Sequence, residues 1–268
     1  MTDLPKTAHI ELEKAPDWLT IWLNRPQARN ALSGGMIDEL MAVLEAVDAD
    51  RELRGLTIRG RGGIFCAGGD LKGFKAVFQG EAGTAEDVAA ANRRAGDLFD
   101  RLDRMPQVVL MLVEGAAIAG GLGMLCAADV VVVTRAAQFA LTETTLGIPP
   151  AQIAPFVARR IGLPAARRIM LTAARFDGLV ASELGLADEV VEDVEALEAA
   201  AQRVRDQVRQ CAPGANAATK EILLATARLD HESIRQFAAD RFAACMLSDE
   251  GREGIAAFIE KRKPGWAV

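Results

Sequence analysis

The sequence predicts an α/β protein: a parallel or mixed sheet with helices packed on it, followed by a helical C-terminal third. Three observations carry that prediction. Short apolar runs of strand composition alternate with segments of helical period through the first two-thirds of the chain. Two glycine-rich turns, at 60–71 and 114–120, each follow one of those runs. From residue 163 onward helical signals take over, and strands separated by helices mark a layered α/β core.

Taken in order, Trp18–Leu23 is apolar and rich in strand formers, and it stops at Asn24-Arg25-Pro26, where proline ends regular pairing. Ser33 then stands before Met36, Ile37, Leu40, Met41, Leu44 and Val47, the apolar face of a helix of about four turns with Ser33 as its N-cap. Residues 53–59 read as the next strand and run into the first glycine turn. A loop is expected over 75–84 and a helix over Ala85–Arg104, ending before Pro106. Val108–Val113 is the following strand; a tight turn of small residues leads from it into a helix starting near Gly121. Val130–Thr134 is again a strand, and 138–161 reads as loop and short helix around one acid, Glu143. Helices are expected at 165–171, 182–186, 194–210, 216–227, 233–247 and 251–261. No internal repeat or low-complexity linker divides the chain.

Composition narrows the function classes. At 268 residues, half of them hydrophobic, the chain buries a sizeable core. Its longest apolar runs, at 108–113 and 130–133, fall far short of the roughly 20 residues that span a bilayer, so no membrane association is expected. The first fourteen residues lack the apolar stretch of a secretory signal, and a cytoplasmic location is expected. Cys66, Cys126, Cys211 and Cys245 are scattered without C-x-x-C spacing or a neighbouring histidine, which reads as free thiols and no metal. A formal net charge of -6 argues against a nucleic-acid partner.

The chemistry-bearing residues are few. Small residues between a strand and a helix let a ligand approach backbone N–H groups, which suits a phosphate or the oxyanion of an enolate; the same residues also serve close helix packing. Neither glycine turn has the P-loop or dinucleotide spacing. His9 and His231 stand in no catalytic pattern and read as surface histidines. Glu143 sits among Phe139, Ala140, Leu141, Leu146 and Ile148, and apolar surroundings raise a carboxyl pKa towards the range useful for proton transfer. Its other readings are a helix N-terminal acid or a surface charge.

Five ordered motifs resemble the enoyl-CoA hydratase/isomerase (crotonase) superfamily over nearly the whole chain. Asn24-Arg25-Pro26 with Asn30-Ala31-Leu32 resembles its N-R-P-x-x-x-N-A-L loop, and Phe65-Cys66-Ala67-Gly68-Gly69-Asp70-Leu71 its F-x-A-G-x-D-[IL] turn. Residues 115–129 resemble the G-x-x-x-G-G-G…D segment, Glu143-Thr144-Thr145-Leu146-Gly147-Ile148-Pro149 the E-x-x-[LI]-G-[IL]-x-P segment, and Glu260-Lys261-Arg262-Lys263-Pro264 the terminal E-K-R-x-P. The resemblance implies a crotonase-like spiral of ββα units over 1–200, holding the coenzyme A site and active site, with a C-terminal helical trimerisation region over 201–268 and assembly as a homotrimer or dimer of trimers. It implies an acyl-CoA substrate, carried as a coenzyme A thioester, and no prosthetic group. Carried over by position, the Gly69 and Gly120 N–H groups form an oxyanion hole for the thioester oxygen. Arg29, Ala31, Ala67, Gly68, Asp70 and Leu71 line the coenzyme A path, and Phe242 and Lys261 close over its nucleotide end.

One position departs from the pattern. Straight-chain hydratases of the superfamily use two glutamates; here the second is Glu143 and the first position is Gly123. A single acid suits a 3,2-enoyl-CoA isomerase. The run 147–157 and Gly120-Gly121-Leu122-Gly123-Met124, however, resemble bacterial hydratases of leucine and acyclic-terpene breakdown, which act on branched glutaconyl-CoA thioesters of the methylglutaconyl or isohexenylglutaconyl type. The expected reaction is therefore hydration of a branched 2-enoyl-CoA. Gly123 is expected to leave room beside the β-carbon, with Ile148 and Pro149 completing the substrate pocket. The isomerase stands second, and a non-catalytic acyl-CoA-binding subunit, which would not need Glu143, third.

Overall fold

The computed structural model describes residues 3–70 and 84–267. A six-stranded sheet holds β1 (Ile10–Lys14), β2 (Trp18–Leu23), β3 (Gly55–Gly60), β4 (Val108–Val113), β6 (Val130–Thr134) and β9 (Glu189–Val191), in the order β1-β2-β3-β4-β6-β9. Only the β1–β2 pair is antiparallel; every later neighbour is parallel. Parallel strands are covered on both faces, which is why β4 is apolar at every position and β6 at every position but its last, Thr134. Period-2 alternation splits β4 between two cores. Val109, Met111 and Val113 face the core built with α1 (Gly34–Val47) and α2 (Ala85–Arg104). Leu110 and Leu112 face Leu197, Ala200, Ala201, Val204 and Val208 of α7 (Val194–Arg209).

The second sheet is small and positions the site. It contains β5 (Ala116–Ile118), β7 (Gln138–Ala140) and β8 (Phe176–Asp177), in the order β5-β7-β8. Two isolated parallel bridges extend it, Cys66 to Ala117 and Leu32 to Gly69. Strand pairs precede two of the helices: β1 and β2, both of the large sheet, precede α1, and β4 and β5, one from each sheet, precede α3 (Gly120–Cys126). The turn expected after β4 is in part a strand, because Ala116 to Ile118 pair with β7 as well as with Cys66.

Local signals hold where they are strong. Ser33 Oγ accepts from Met36 N–H at the start of α1, and Thr84 and Asp87 form a reciprocal capping box on α2, whose 85–104 span is the one the sequence predicts. The loop expected at 75–84 lies, apart from Thr84, outside the described residues. After β7 come α4 (Ala154–Ile161), α5 (Leu163–Thr172) and α6 (Gly178–Glu183), the last shifted N-terminal of the expected 182–186 because Asp177 caps it at Val180 N–H. Beyond α7 lie α8 (Pro213–Ala225), α9 (His231–Leu247) and α10 (Asp249–Ile259). Residue 200, the expected domain limit, falls inside α7, whose apolar side chains pack on the sheet along its length. Among the described residues no helix is long and apolar enough to cross a membrane.

Candidate active site

The site is built where the second sheet brings three chain segments together. The first is the turn 66–70. Leu32 N–H donates to the Gly68 carbonyl at 2.8 Å and Asp70 N–H to the Leu32 carbonyl at 3.0 Å. In a parallel bridge the flanking residues make the bonds, so the N–H of Gly69 itself faces away from Leu32. Gly68 has φ +94°, and a Cβ there would stand 2.8 Å from the Ala119 Cβ and 3.2 Å from the Ile118 carbonyl oxygen. Only glycine allows that approach of the two turns.

The second segment is Ala119-Gly120. Ala119 holds φ 50°, ψ −119°, a backbone conformation that L side chains rarely adopt, while its N–H donates to the Ala140 carbonyl at 2.9 Å. That bond ties the turn to β7 and aims the first N–H groups of α3 outward. Gly120 opens α3, where an N–H has no intrahelical acceptor. Among the described residues neither the Gly69 nor the Gly120 N–H has a hydrogen-bond acceptor.

The third segment follows β7. Three residues after Ala140, Glu143 opens a short 3₁₀ turn pinned by Thr144 Oγ1 on the Met170 carbonyl at 3.0 Å and closed by Gly147 at φ 77°. Glu143 Oε2 is buried and, among the described residues, has no hydrogen-bond partner. Burial pushes its carboxyl above the usual range, partly offset by the backbone N–H groups of Glu143 and Thr142. Leu146 and Ile148 do not supply the burial expected of them: both are exposed, as is Pro149.

Around this centre the coenzyme A candidates cluster on one loop. Arg29 lies at φ 54° and its carbonyl accepts from Ala67 N–H at 3.0 Å, while the Ala31 carbonyl accepts from Arg25 Nη1 at 2.8 Å. The Asp70 carboxylate pairs with Arg25 at 3.1 Å, so it braces the turn from within. Leu71 lies outside the described residues. Phe242 on α9 and Lys261 in the turn after α10 stay exposed, and among the described residues no hydrogen bond or ion pair joins either side chain to the turns. Asn30, which the motif contains but site reasoning passed over, is the anchor of the loop. It is fully buried at φ 53°, accepts from Arg25 N–H and donates to the carbonyls of Arg61 and Ile64. Asp129, at the end of the glycine segment, accepts from Val109 N–H and pairs with Lys220 of α8, a bracing role.

Gly123 corrects an expectation. The space beside it is not open: a Cβ at this position would overlap Cγ2 of Ile153, stand 3.0 Å from its Cβ, and lie 3.3 Å from Cε1 of Phe99. Where a second carboxylate would project, the chain places hydrocarbon. Position 123 alone announced the missing acid, but nothing local in the sequence marked Ile153 as the residue that fills its place.

Two backbone donors without acceptors among the described residues, a carboxyl whose Oε2 is buried without a partner, and a loop turned by Asn30 are groups suited to holding an oxyanion and to moving one proton. A model of the enoyl-CoA hydratase/isomerase family matches residues 17–268. The chain belongs to that family. Among solved structures, Pseudomonas aeruginosa AtuE is 48% identical with a TM-score of 0.94, covering 97% of this chain and 100% of that one. An enoyl-CoA hydratase/isomerase from Marinobacter aquaeolei is 39% identical with a TM-score of 0.93, covering 97% and 99%. The carnitinyl-CoA dehydratase of Proteus mirabilis is 33% identical over 254 residues, 92% of this chain and 94% of its own. The α/β crotonase-like fold is therefore that of the family, and an acyl-CoA substrate accords with it. Among the described residues no three His, Cys, Asp or Glu side chains group as a metal site.

Proposed function

We propose that this protein adds water across the double bond of a branched 2-enoyl-CoA, of the methylglutaconyl or isohexenylglutaconyl type, with Glu143 as its single acid/base. The observation that carries the reading is the buried Glu143 Oε2 with no partner, on the segment tied to the Gly120 turn through Ala119 and Ala140. In the ionised form the Glu143 carboxylate takes a proton from water as its oxygen attacks the β-carbon. The thioester oxygen becomes an enolate oxygen and is held by the Gly69 and Gly120 N–H groups, preorganised donors each worth about 3 kcal/mol in such sites. Glu143, now protonated, delivers that proton to the α-carbon and returns to its ionised state. One carboxyl with two oxygens serves both transfers on one face of the substrate. The branched acyl group is supported by the resemblance of 120–124 and 147–157 to hydratases of branched glutaconyl thioesters, and by the hydrocarbon of Ile153 and Phe99 beside Gly123, against which an apolar branch packs.

Arg29, Ala31, Ala67, Gly68, Asp70 and Leu71 hold the coenzyme A in this reading. Assembly as a trimer or hexamer is supported by the apolar side chains that α9 and α10 leave bare, Leu247 at 71% exposure, Phe258 at 84% and Ile259 at 72%, and it is the route by which Phe242 and Lys261 reach a ligand in a neighbouring subunit. The hydrocarbon at Gly123 also favours a second reading, a 3,2-enoyl-CoA isomerase in which Glu143 takes a proton from carbon 2 and returns one to carbon 4. Turnover in ¹⁸O-labelled water separates the two. Hydration puts the label on the β-carbon of the product; conversion of a 3-enoyl-CoA to the 2-enoyl-CoA, with no labelled oxygen gained by any branched 2-enoyl-CoA, overturns the hydratase.

A further inference from the structure

The pairing of Gly123 with Ile153 carries an inference that rests on the acyl-CoA reading of the site. Gly120 and Gly123 are one turn apart on α3, and a single side chain spans both: Phe99 Cζ lies 3.8 Å from the Cβ position of Gly120, and Phe99 Cε1 lies 3.3 Å from that of Gly123. Ile153 closes the same surface from the start of α4, and it is buried. Its β-branched side chain has little rotamer freedom, so it cannot swing aside, and its place exists only because position 123 has no Cβ.

Behind this pair lies open space. Gly96, one turn before Phe99, and Gln152 and Phe156, which flank Ile153 in sequence, line a cleft of about 910 Å³ between α2, α4 and α8. The Phe99 and Phe156 rings meet at 6.1 Å between centroids, and Gln152 donates to Asn92 Oδ1 at 2.8 Å. Ile153 and Phe99 therefore link α3, which both meet at Gly123, to the cleft-lining residues Gln152 and Phe156. In the acyl-CoA reading, a thioester oxygen on the Gly120 N–H sets the acyl group beside the helix on which Gly123 lies one turn further on.

We propose that Ile153 is the specificity-determining residue for substituents on the β-carbon of the bound acyl group. Its branched side chain, locked against Gly123, gives a wall that a β-methyl group touches and a β-ethyl group overlaps. Removing the side chain opens the space beside Gly123 and admits the larger group.

The test uses the full-length protein and three saturated, unreactive thioesters that differ only in the substituent on carbon 3, hydrogen, methyl or ethyl: pentanoyl-CoA, 3-methylpentanoyl-CoA and 3-ethylpentanoyl-CoA. Their affinities are measured by calorimetry for the wild type, Ile153→Val and Ile153→Ala. One methylene in an apolar pocket changes discrimination by about 10- to 200-fold. Ile153→Ala is expected to shift the ratio of 3-ethylpentanoyl to 3-methylpentanoyl affinity by at least about 10-fold towards the larger group, with pentanoyl-CoA affinity within about 2-fold of wild type. Ile153→Val, which removes one methyl and folds readily, shifts the ratio the same way by about 3-fold. A ratio within about 1.5-fold of wild type in folded Ile153→Val overturns the assignment, whether or not Ile153→Ala folds. If the wild type binds none of the three thioesters, the acyl-CoA reading falls and this inference with it. If the ratio shifts but no enoyl-CoA gains water, the hydratase reading falls alone.

Discussion

Gly123→Ala sets two effects of opposite sign against each other. In the interior of a helix alanine is favoured over glycine by about 0.5–1 kcal/mol, because glycine loses more backbone freedom on folding. Against this, the new methyl would overlap Ile153 Cγ2 and press on Ile153 Cβ and Phe99 Cε1, and the two residues that must yield are a stiff β-branched side chain and a buried ring. Overpacking of this kind costs about 1–3 kcal/mol. The clash outweighs the propensity, leaving Gly123→Ala less stable by about 1–2 kcal/mol and lowering its melting temperature by about 2–6 °C for a chain of this size. In an Ile153→Ala background the overlap with Cγ2 is gone, while the contacts at 3.0 Å with the residue 153 Cβ and 3.3 Å with Phe99 remain, so the same substitution costs less by about 1–2 kcal/mol. The assay is a double-mutant cycle from urea midpoints followed by tryptophan fluorescence at one protein concentration, since subunit assembly makes stability depend on concentration. Equal effects of Gly123→Ala in the two backgrounds would refute the reasoning, because they would mean that Ile153 does not occupy the space beside position 123.

Two further predictions follow from single residues. Glu143→Gln is expected to lower kcat by about 100-fold or more with little change in acyl-CoA affinity. It also raises the melting temperature at neutral pH: burial holds the folded-state pKa of Glu143 above its unfolded value, so the ionised side chain costs stability above the raised pKa, and the advantage of glutamine fades as pH falls towards about 4.5. A variant no more stable than wild type at neutral pH would count against an unpartnered buried carboxylate. Asn30→Ala strips partners from the buried Arg25 N–H and the carbonyls of Arg61 and Ile64 and leaves alanine at φ 53°, so a loss of about 3 kcal/mol or more is expected in chemical denaturation; a loss under about 1 kcal/mol would show that water replaces the amide.

Much of the frame was legible without coordinates. The cap at Ser33, the period of α1, the span of α2 and the doubly apolar β4 and β6 are local patterns, and each reports which face of its own element is buried. The motif turns located Gly69, Gly120 and Glu143, since small residues and a lone acid among apolar neighbours stand out in one dimension. The strands β5, β7, β8 and β9 did not stand out, because two or three residues are too few to show a period and they are held by partners far along the chain. Tertiary structure alone decided that the Gly69 N–H turns away from Leu32, that the Asp70 carboxylate is taken up by Arg25, and that Ile153 fills the space Gly123 leaves. The physical reason is the same for all three: a sequence pattern states which groups a residue has to bury or satisfy, while close packing in the folded chain selects the distant residue that does it.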